Sequence, residues 1–480
     1  MYRVEESIRW SVLDGATARC CAFAMLVLAS CGRFGFAPED DVVVTLGGSE
    51  ADVPRAIAVT AAGNIVIVGE FRDAVDFGCS SITATGGADG FLIELTPELE
   101  CIRTWQVSGP GDDLAIDVDE DRFGNFFVTG EFRQTAAIGS ADSELTAMFE
   151  RDIYLTKLAA TWATTWTRQL PGNSSDQTYE LVNQVQADSS GAIHMFGRVW
   201  GSVNFGWGGP TQAFSDAGWG DAFVLRVGAD GEYLGADTFG GGGSEHTYAM
   251  TIDENDRLYL AGAFRGTADF DPGPATRSYS GNFDGFIQQR MPDGTLAWLN
   301  VEQRGGWCPY HSIANKLGDE LVAVQSDLTI MDTIVVRTSS FARADGALRW
   351  SREVVGPCLA EQLCMYVMAA ATDREGNVYV GGRFPGSIDF DPGDGADIRT
   401  SNGGQDAFVQ SYGPAGDYRW TMTFGGAGND QINAIAVLDV DDIVVIGPFE
   451  ESVDFSSVPS VQDIRASSGS SDVYVRRITR

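Results

Sequence analysis

The chain repeats one strand pattern seven times: an aspartate, a spacer, an aromatic or β-branched residue and then an apolar-rich run. The clearest copy is QDAFVQSY, from Gln405 to Tyr412. A repeat that recurs at intervals of about 50 to 75 residues indicates a repeat architecture and not a series of unrelated domains. The seven aspartates are Asp89, Asp152, Asp221, Asp284, Asp332, Asp406 and Asp472.

Each repeat contains four strand-like segments in the same order. A small-residue segment such as Arg55 to Thr60 is followed by a turn, often Gly-Asn, and by a β-branched or aromatic segment that ends in glycine. The aspartate segment comes next, and a segment that carries a tryptophan closes the repeat. No long stretch has helical spacing. We therefore predict an all-β fold: a seven-bladed β-propeller of four-stranded blades that bury their faces against one another.

The last repeat ends at Arg480 without a fourth strand. The missing pattern, a strand followed by Gly-Gly, occurs near the start as DVVVTLGG, from Asp41 to Gly48. We expect this N-terminal strand to close the last blade. The fifth repeat diverges most from the others, and its glycine is replaced near Gln325.

These units resemble the SBBP-type β-propeller repeat of secreted and surface proteins of bacteria. The resemblance is carried by GNVYVGGRF, IDFDPG, GGQDAFVQSY and YRWTMTFGG, and their counterparts cover nearly all of Val42 to Arg480. It implies the fold. It implies no particular activity, because fold does not determine function.

The N-terminal region has the features of an export signal. An apolar run from Cys20 to Ser30 follows Arg19 and is too short to span a bilayer. It ends in Leu-Ala-Ser followed by Cys31, which resembles the lipobox of a bacterial lipoprotein. The resemblance implies a signal peptide over 1–30, lipidation of Cys31, a tether over 31–41 and a propeller over 42–480. Gly32 after the cysteine favours the outer membrane.

The charge balance limits the possible partners. The chain has 67 acidic and 32 basic residues, which gives a net charge of −35. Nucleic acid and anionic membrane surfaces should be repelled, so we expect no nucleic-acid partner and contact with a membrane only through the lipid anchor. The partner is expected to be a protein or a glycan.

Two matching loops, Asp269 to Gly273 and Asp389 to Gly393, read DFDPG. The pairs Asp269/Asp271 and Asp389/Asp391 have a spacing that brings two carboxylates to one hard cation, so calcium is the one possible cofactor. The alternative, which we favour, is a Pro-Gly turn capped by an aspartate. No paired-histidine spacing indicates zinc.

Five cysteines follow Cys31. An exported chain permits disulfides. Cys79 and Cys101 lie in one repeat and are the first expected pair, and any two of Cys308, Cys358 and Cys364 are candidates for a second.

The loops between blades and the loops after the second strands should crowd one face, which we predict to be the binding face. Its candidate residues are Asp52, Arg55, Asp113, Asp176, Glu245, His246 and Asp430. We therefore expect a binding or scaffold protein, not an enzyme. The alternative is a quinoprotein-like enzyme, because ADGALRW and PDGTLAW resemble the repeat ends of that class. The period is too long for it, and no catalytic cluster is recognisable.

Overall fold

The computed structural model describes residues 41–139, 144–148, 150–170, 181–206, 213–316, 318–330, 333–358, 363–456 and 462–480. Asp40–Arg480 forms one compact unit. Every regular element among the described residues is a β-strand, and none of them is a helix that is long and apolar enough to cross a membrane. The predictions for Cys31, Asp176 and Asp332 fall outside the described residues.

The strands form seven antiparallel groups of four, numbered 1 to 7 below. Four sheets contain four strands each, a six-stranded sheet contains one group and an added hairpin, and an eight-stranded sheet contains two groups. The first strand of the chain is β1 (Val42–Leu46). Group 1 and its hairpin are β2 (Val53–Val59), β3 (Ile65–Phe71), β4 (Ala74–Asp76), β5 (Ser81–Thr83), β6 (Asp89–Leu95) and β7 (Cys101–Ser108), and group 2 and its hairpin are β8 (Leu114–Glu120), β9 (Phe126–Phe132), β10 (Thr135–Ile138), β11 (Glu144–Thr146), β12 (Asp152–Leu158) and β13 (Thr164–Leu170). Group 3 and its hairpin are β14 (Leu181–Ala187), β15 (Ile193–Val199), β16 (Ser202–Asn204), β17 (Ala213–Ser215), β18 (Asp221–Val227) and β19 (Tyr233–Gly241).

The remaining groups follow the same order of pairing. They are group 4, β20 (Ser244–Ile252), β21 (Leu258–Asp269), β22 (Ser278–Arg290) and β23 (Leu296–Glu302); group 5, β24 (Tyr310–Lys316), β25 (Glu320–Ile330), β26 (Thr333–Ala342) and β27 (Leu348–Pro357); group 6, β28 (Tyr366–Thr372), β29 (Val378–Asp389), β30 (Ile398–Tyr412) and β31 (Tyr418–Phe424); and group 7 with its hairpin, β32 (Ala434–Asp439), β33 (Asp442–Phe449), β34 (Ser452–Asp454), β35 (Ile464–Ala466) and β36 (Asp472–Thr479).

Apolar side chains fill the spaces between successive groups. Groups 1 and 2 share a cluster that includes Val68 and Val128, and groups 6 and 7 share one that includes Val409 and Val445. Similar clusters lie between groups 2 and 3, 3 and 4, 4 and 5, and 5 and 6. A further cluster joins group 7 to group 1, so the succession of groups returns to its start. The prediction of an all-β propeller is confirmed.

The first strands of the groups are joined by side chains and not by a backbone ladder. The Asp117 carboxylate in β8 accepts a hydrogen bond from Val185 N in β14 at 2.8 Å. Between groups 7 and 1, Asn433 Nδ2 donates to Pro54 O at 2.7 Å. These bonds satisfy polar groups that would otherwise face the centre unpaired.

Strand β1 pairs with β36 as the fourth strand of group 7, which is the predicted closure. Val42 lies opposite Arg477, and Leu46 lies opposite Val473. Leu46 is buried in the cluster between groups 7 and 1. Next to β1, Asp41 forms an ion pair of 3.0 Å with Arg476, whose side chain is almost fully buried.

The repeated aspartates begin the third strands of groups 1, 2, 3 and 7 and lie within the longer third strands of groups 4 and 6, and they accept hydrogen bonds from the backbone that precedes them. Asp89 accepts a hydrogen bond from Thr85 N at 3.0 Å, and Asp472 accepts one from Ser468 N at 2.9 Å. Group 5 departs from this pattern. The position that holds aspartate in the other groups is occupied by Val335, and the residue opposite it in β25, an aromatic residue or valine elsewhere, is Asp327. The acid and the apolar residue have exchanged strands. Gln325 replaces the glycine of β25, as predicted.

Candidate functional site

The carboxyl groups predicted for the binding face lie beneath that face and are buried. Asp52, Asp113, Glu245 and Asp430 are each at most 1% exposed. Asp430 accepts hydrogen bonds from Gly426 N at 2.8 Å and Glu450 N at 3.1 Å, which ties the loop between groups to the loop after the second strand. These side chains therefore organise the loops, as the predicted crowding of the two loop types requires, but they do not form the surface.

Each of these four carboxyl groups lies beside the repeated aspartate in the third strand of the preceding group. Burial raises the pKa of Asp52 to about 6 and of Asp113 and Asp430 to about 7, and the neighbouring aspartates add to the shift. Burial raises the pKa of Glu245 to about 9, and the charge of Asp221 reinforces the shift. At neutral pH several of these pairs hold a proton, because two buried charges side by side are unfavourable.

A central cavity of about 270 Å³ is lined by the first strands of all seven groups. The predicted Arg55 lies at this cavity and forms an ion pair of 2.8 Å with Glu70. Its polar lining also includes Asn183, His311 and Asn433. Much of this lining is engaged in the bonds between first strands, so the cavity has few free hydrogen-bonding groups.

A row of aromatic side chains runs along the first strands of groups 4, 5 and 6. His246 stacks on Tyr248 with ring centroids 6.5 Å apart, Tyr248 contacts His311 at 5.3 Å, and His311 contacts Tyr366 at 5.9 Å. Trp307 packs against His246 at 5.5 Å. Burial lowers the pKa of both His246 and His311 to about 4, so both are neutral at physiological pH.

A larger cavity, of about 640 Å³, opens where groups 6 and 7 meet on the same face. Its walls expose more polar than apolar surface. Tyr366 and Arg383 contribute from group 6, and Asn429 and Gln431 come from the loop between the groups. The remaining lining residues are Val53, Leu363, Gln405, Pro448, Glu450 and Ser471. A cavity of this size that carries several hydrogen-bonding groups is suited to a small ligand.

Sequence reasoning missed Arg383, Tyr366 and this cavity. Arg383 directly follows the glycine of the second strand, and the corresponding residues of groups 1 and 2 are Glu70 and Glu131. The residue at this position changes from glutamate in groups 1 and 2 to arginine in group 6. That change of charge between repeats is the sequence signal from which the site could have been found.

The two DFDPG loops are capped turns. Asp269 Oδ1 accepts bonds from Asp271 N at 3.2 Å and Arg277 N at 2.8 Å, and Asp271 Oδ1 accepts one from Gly273 N at 2.8 Å. Asp389 and Asp391 repeat this arrangement. Group 3 has Asn204 in the matching turn, where its amide oxygen accepts the same bond from Gly206 N. The turn therefore needs an acceptor and not a charge. No cluster of three or more ligating side chains occurs among the described residues. Calcium stays a prediction.

Two disulfides are present. Cys79 pairs with Cys101, as predicted, and Cys358 pairs with Cys364, which selects one of the open alternatives. Cys308 is the free cysteine among the described residues, and it is buried. Burial raises the pKa of its thiol to about 11, so it is not a reactive thiolate at neutral pH.

No protein-family model matches the chain, and no curated protein sequence matches it. Among solved structures, the WD40 domain of SCAP from fission yeast is similar over 93% of this chain and 97% of that chain, at 7% identity and a TM-score of 0.39. NanB sialidase from Streptococcus pneumoniae is similar over 90% and 68%, at 11% identity and 0.37. The endosialidase of phage phi92 is similar over 93% and 70%, at 9% identity and 0.38. At these values no site or activity is transferred to this chain.

Proposed function

We propose that the chain is a lipid-anchored β-propeller of seven blades, related to the SBBP-type repeat, that acts as a binding or scaffold protein at the bacterial cell surface without catalysing a reaction. The observation that carries the proposal is the polar cavity of about 640 Å³ between groups 6 and 7, on the face where the loops between groups gather. Its lining offers hydrogen-bond donors and acceptors on a rigid β scaffold, which is what recognition of a polar partner requires.

The location rests on independent features. Two disulfides are typical of proteins in an oxidising compartment outside the cytoplasm. The apolar run that ends at Ser30, directly before Cys31, supports export followed by lipidation. A net charge of −35 keeps the protein body away from anionic lipid, so an anchor would hold it near the membrane.

The anchor predicts that Cys31→Ala abolishes membrane association. Lipidation at Cys31 is the proposed means of attachment, so the variant should appear in the soluble fraction or as an unprocessed precursor. Cys21→Ala, which leaves the four residues of the lipobox intact, should fractionate like the wild type. The measurement is cell fractionation with a carbonate wash. Retention of the Cys31→Ala variant in washed membranes, in processed form, would refute the anchor.

The binding face predicts a directional pattern of crosslinks. A photo-reactive residue at Ala427, an exposed position in the loop between groups 6 and 7, should crosslink in cells to a cell-surface component. The same residue at Asp293, in the exposed turn between β22 and β23, should give no such product. Equal crosslinking from both positions would mean that this face has no binding role.

A further inference from the structure

We propose that the cavity between groups 6 and 7 recognises a uronic acid residue of a glycan, with the sugar carboxylate on Arg383 and its hydroxyl groups on the polar walls. This inference rests on the proposed function and names the chemical class of its ligand. The first argument for it is the charge of Arg383, and the second is the chemistry of the surrounding walls.

The charge of Arg383 is not neutralised by an ion pair within the described residues, unlike the charges at the matching positions of groups 1 and 2. The matching Arg198 of group 3 also forms no ion pair there, but it lies near the carboxyl groups of Glu245 and Asp221. Glu70 of group 1 pairs with Arg55 at 2.8 Å, and Glu131 of group 2 pairs with Arg151. No carboxylate of the described residues lies within ion-pair distance of Arg383, although the chain carries 67 acidic residues against 32 basic ones. A half-buried guanidinium without a counter-ion has lost part of its hydration and has gained no ion pair in return. An anionic ligand group supplies that ion pair.

The Arg383 side chain is held in one orientation. Its Nη1 donates to Gln431 Oε1 at 2.8 Å, and Gln431 is itself fixed because its Nε2 donates to Asn433 Oδ1 at 2.8 Å. The guanidinium lies 5.5 Å from the centroid of the Tyr366 ring. Burial lowers the pKa of Arg383, and among the described residues the ionisable group that opposes this shift is the Tyr366 hydroxyl, which is neutral at physiological pH. The fixed planar fork is suited to a carboxylate, which accepts two parallel hydrogen bonds.

The walls of the cavity favour a ligand rich in hydroxyl groups. Asn429 carries an amide that both donates and accepts, as vicinal sugar hydroxyls do. The amide nitrogen of Gln405 already donates to Cys364 O at 2.7 Å, so Gln405 can offer the ligand an acceptor oxygen. The aliphatic part of the lining is limited to Val53, Leu363 and Pro448. A volume of about 640 Å³ accommodates a short saccharide.

Glu450 limits the ligand to one carboxylate at this site. It lines the same cavity, and its Oε2 accepts bonds from Asn429 N at 3.0 Å and Asn429 Nδ2 at 3.1 Å, which hold it in place. The Glu450 carboxylate oxygens can accept hydrogen bonds from sugar hydroxyls, and their negative charge repels a second carboxylate. A uronic acid residue presents one carboxylate and several hydroxyls, which matches an arginine and a glutamate in one cavity.

The test is calorimetry and saturation-transfer NMR on the purified full chain with four probes: D-glucuronate, D-glucose, acetate and glycine. We expect glucuronate to bind with a millimolar Kd, at least tenfold more tightly than glucose or acetate, and more weakly as salt is added. Arg383→Gln should weaken glucuronate binding at least tenfold, and Arg383→Lys should weaken it less. The matched control is Arg374→Gln, an exposed arginine paired with Asp439, which should bind like the wild type.

Each other outcome counts against the inference. Equal binding of glucose would show that the charge has no role, equal binding of acetate would indicate an adventitious ion only, and tighter binding of glycine would indicate an amino acid site. If Arg383→Gln does not fold, Arg383→Lys is the deciding variant, and unchanged glucuronate affinity in it would show that the guanidinium of Arg383 does not recognise the carboxylate. Failure of all four probes beside positive crosslinking from Ala427 would overturn the uronate assignment and leave the proposed binding function standing.

Discussion

Leu46→Asp is expected to lower the free energy of unfolding by at least about 3 kcal/mol, because it buries an unpaired carboxylate and removes an apolar side chain from the core. Leu46 is 8% exposed and lies in the cluster that joins group 7 to group 1. The residue is near the N-terminal end of the described chain, where a substitution would ordinarily have little effect. A large loss of stability there would mean that β1 is a structural strand of the last group.

The matched control is Val42→Asp, in the same strand and with the same change of charge. Val42 is 36% exposed, so its carboxylate would remain solvated and the variant should stay within about 0.5 kcal/mol of the wild type. The measurement is urea unfolding of both variants, read by far-ultraviolet circular dichroism and by tryptophan fluorescence. Similar midpoints for Leu46→Asp and the wild type would contradict the closure of group 7 by β1.

The protein should lose stability as the pH rises from about 5 to about 9. Burial holds the pKa values of Asp52, Asp113, Asp117 and Glu245 at about 6, 7, 8 and 9, well above those of the unfolded chain. At pH values between the unfolded pKa values and the folded pKa values, the folded state binds more protons than the unfolded state. The free energy of unfolding therefore falls as the pH rises. The stability that these groups contribute is fully present below their unfolded pKa values. It is lost as the pH rises through their folded pKa values. The expected fall exceeds about 3 kcal/mol.

Glu245→Gln separates this effect from general charge repulsion. The amide is neutral at every pH and can donate to the neighbouring Asp221, so the variant should melt at a higher temperature than the wild type at pH 8 and at the same temperature at pH 5. Glu98→Gln removes the same charge from an exposed position and should leave the wild-type pH dependence unchanged. Parallel pH profiles for the Glu245→Gln variant and the wild type would show that the buried pairs do not govern stability.

The repeated features of the fold were predictable because they recur. The turn-capping role of Asp89 and its counterparts follows from a strand that begins with an acid after a glycine-rich turn, and the hydrogen bond from Thr85 N has the expected form. The glycine near the end of the second strand, present in every group but group 5, is needed for close approach, since a Cβ on Gly69 would overlap Val53 O and meet the Phe91 ring at 2.7 Å. Such requirements act through local sequence, so periodicity reveals them.

Burial at the loops was not predictable from position along the chain. Asp52 and Asp430 belong to the predicted loops, but the loops fold over them and use them as internal acceptors. In group 5 the sequence pattern pointed to Asp332, because a spacer and an apolar-rich run follow it. The strand register places Val335 at that position and its acidic counterpart, Asp327, on the neighbouring strand. A pairwise exchange between strands conserves neither sequence spacing nor residue type, so only the three-dimensional pairing reveals it.

The pairing of β1 with β36 also determines the order in which the molecule can be completed. Asp41 and Arg476, which meet beside that pairing, are 435 residues apart in sequence. Closing so long a loop carries a large entropic penalty, so these contacts form after the local hairpins of the other groups. During synthesis β1 has no partner until β36 has emerged, and until then its edge is open to pairing with another chain. Molecules halted before this step are therefore the ones that would exchange strands with a neighbour.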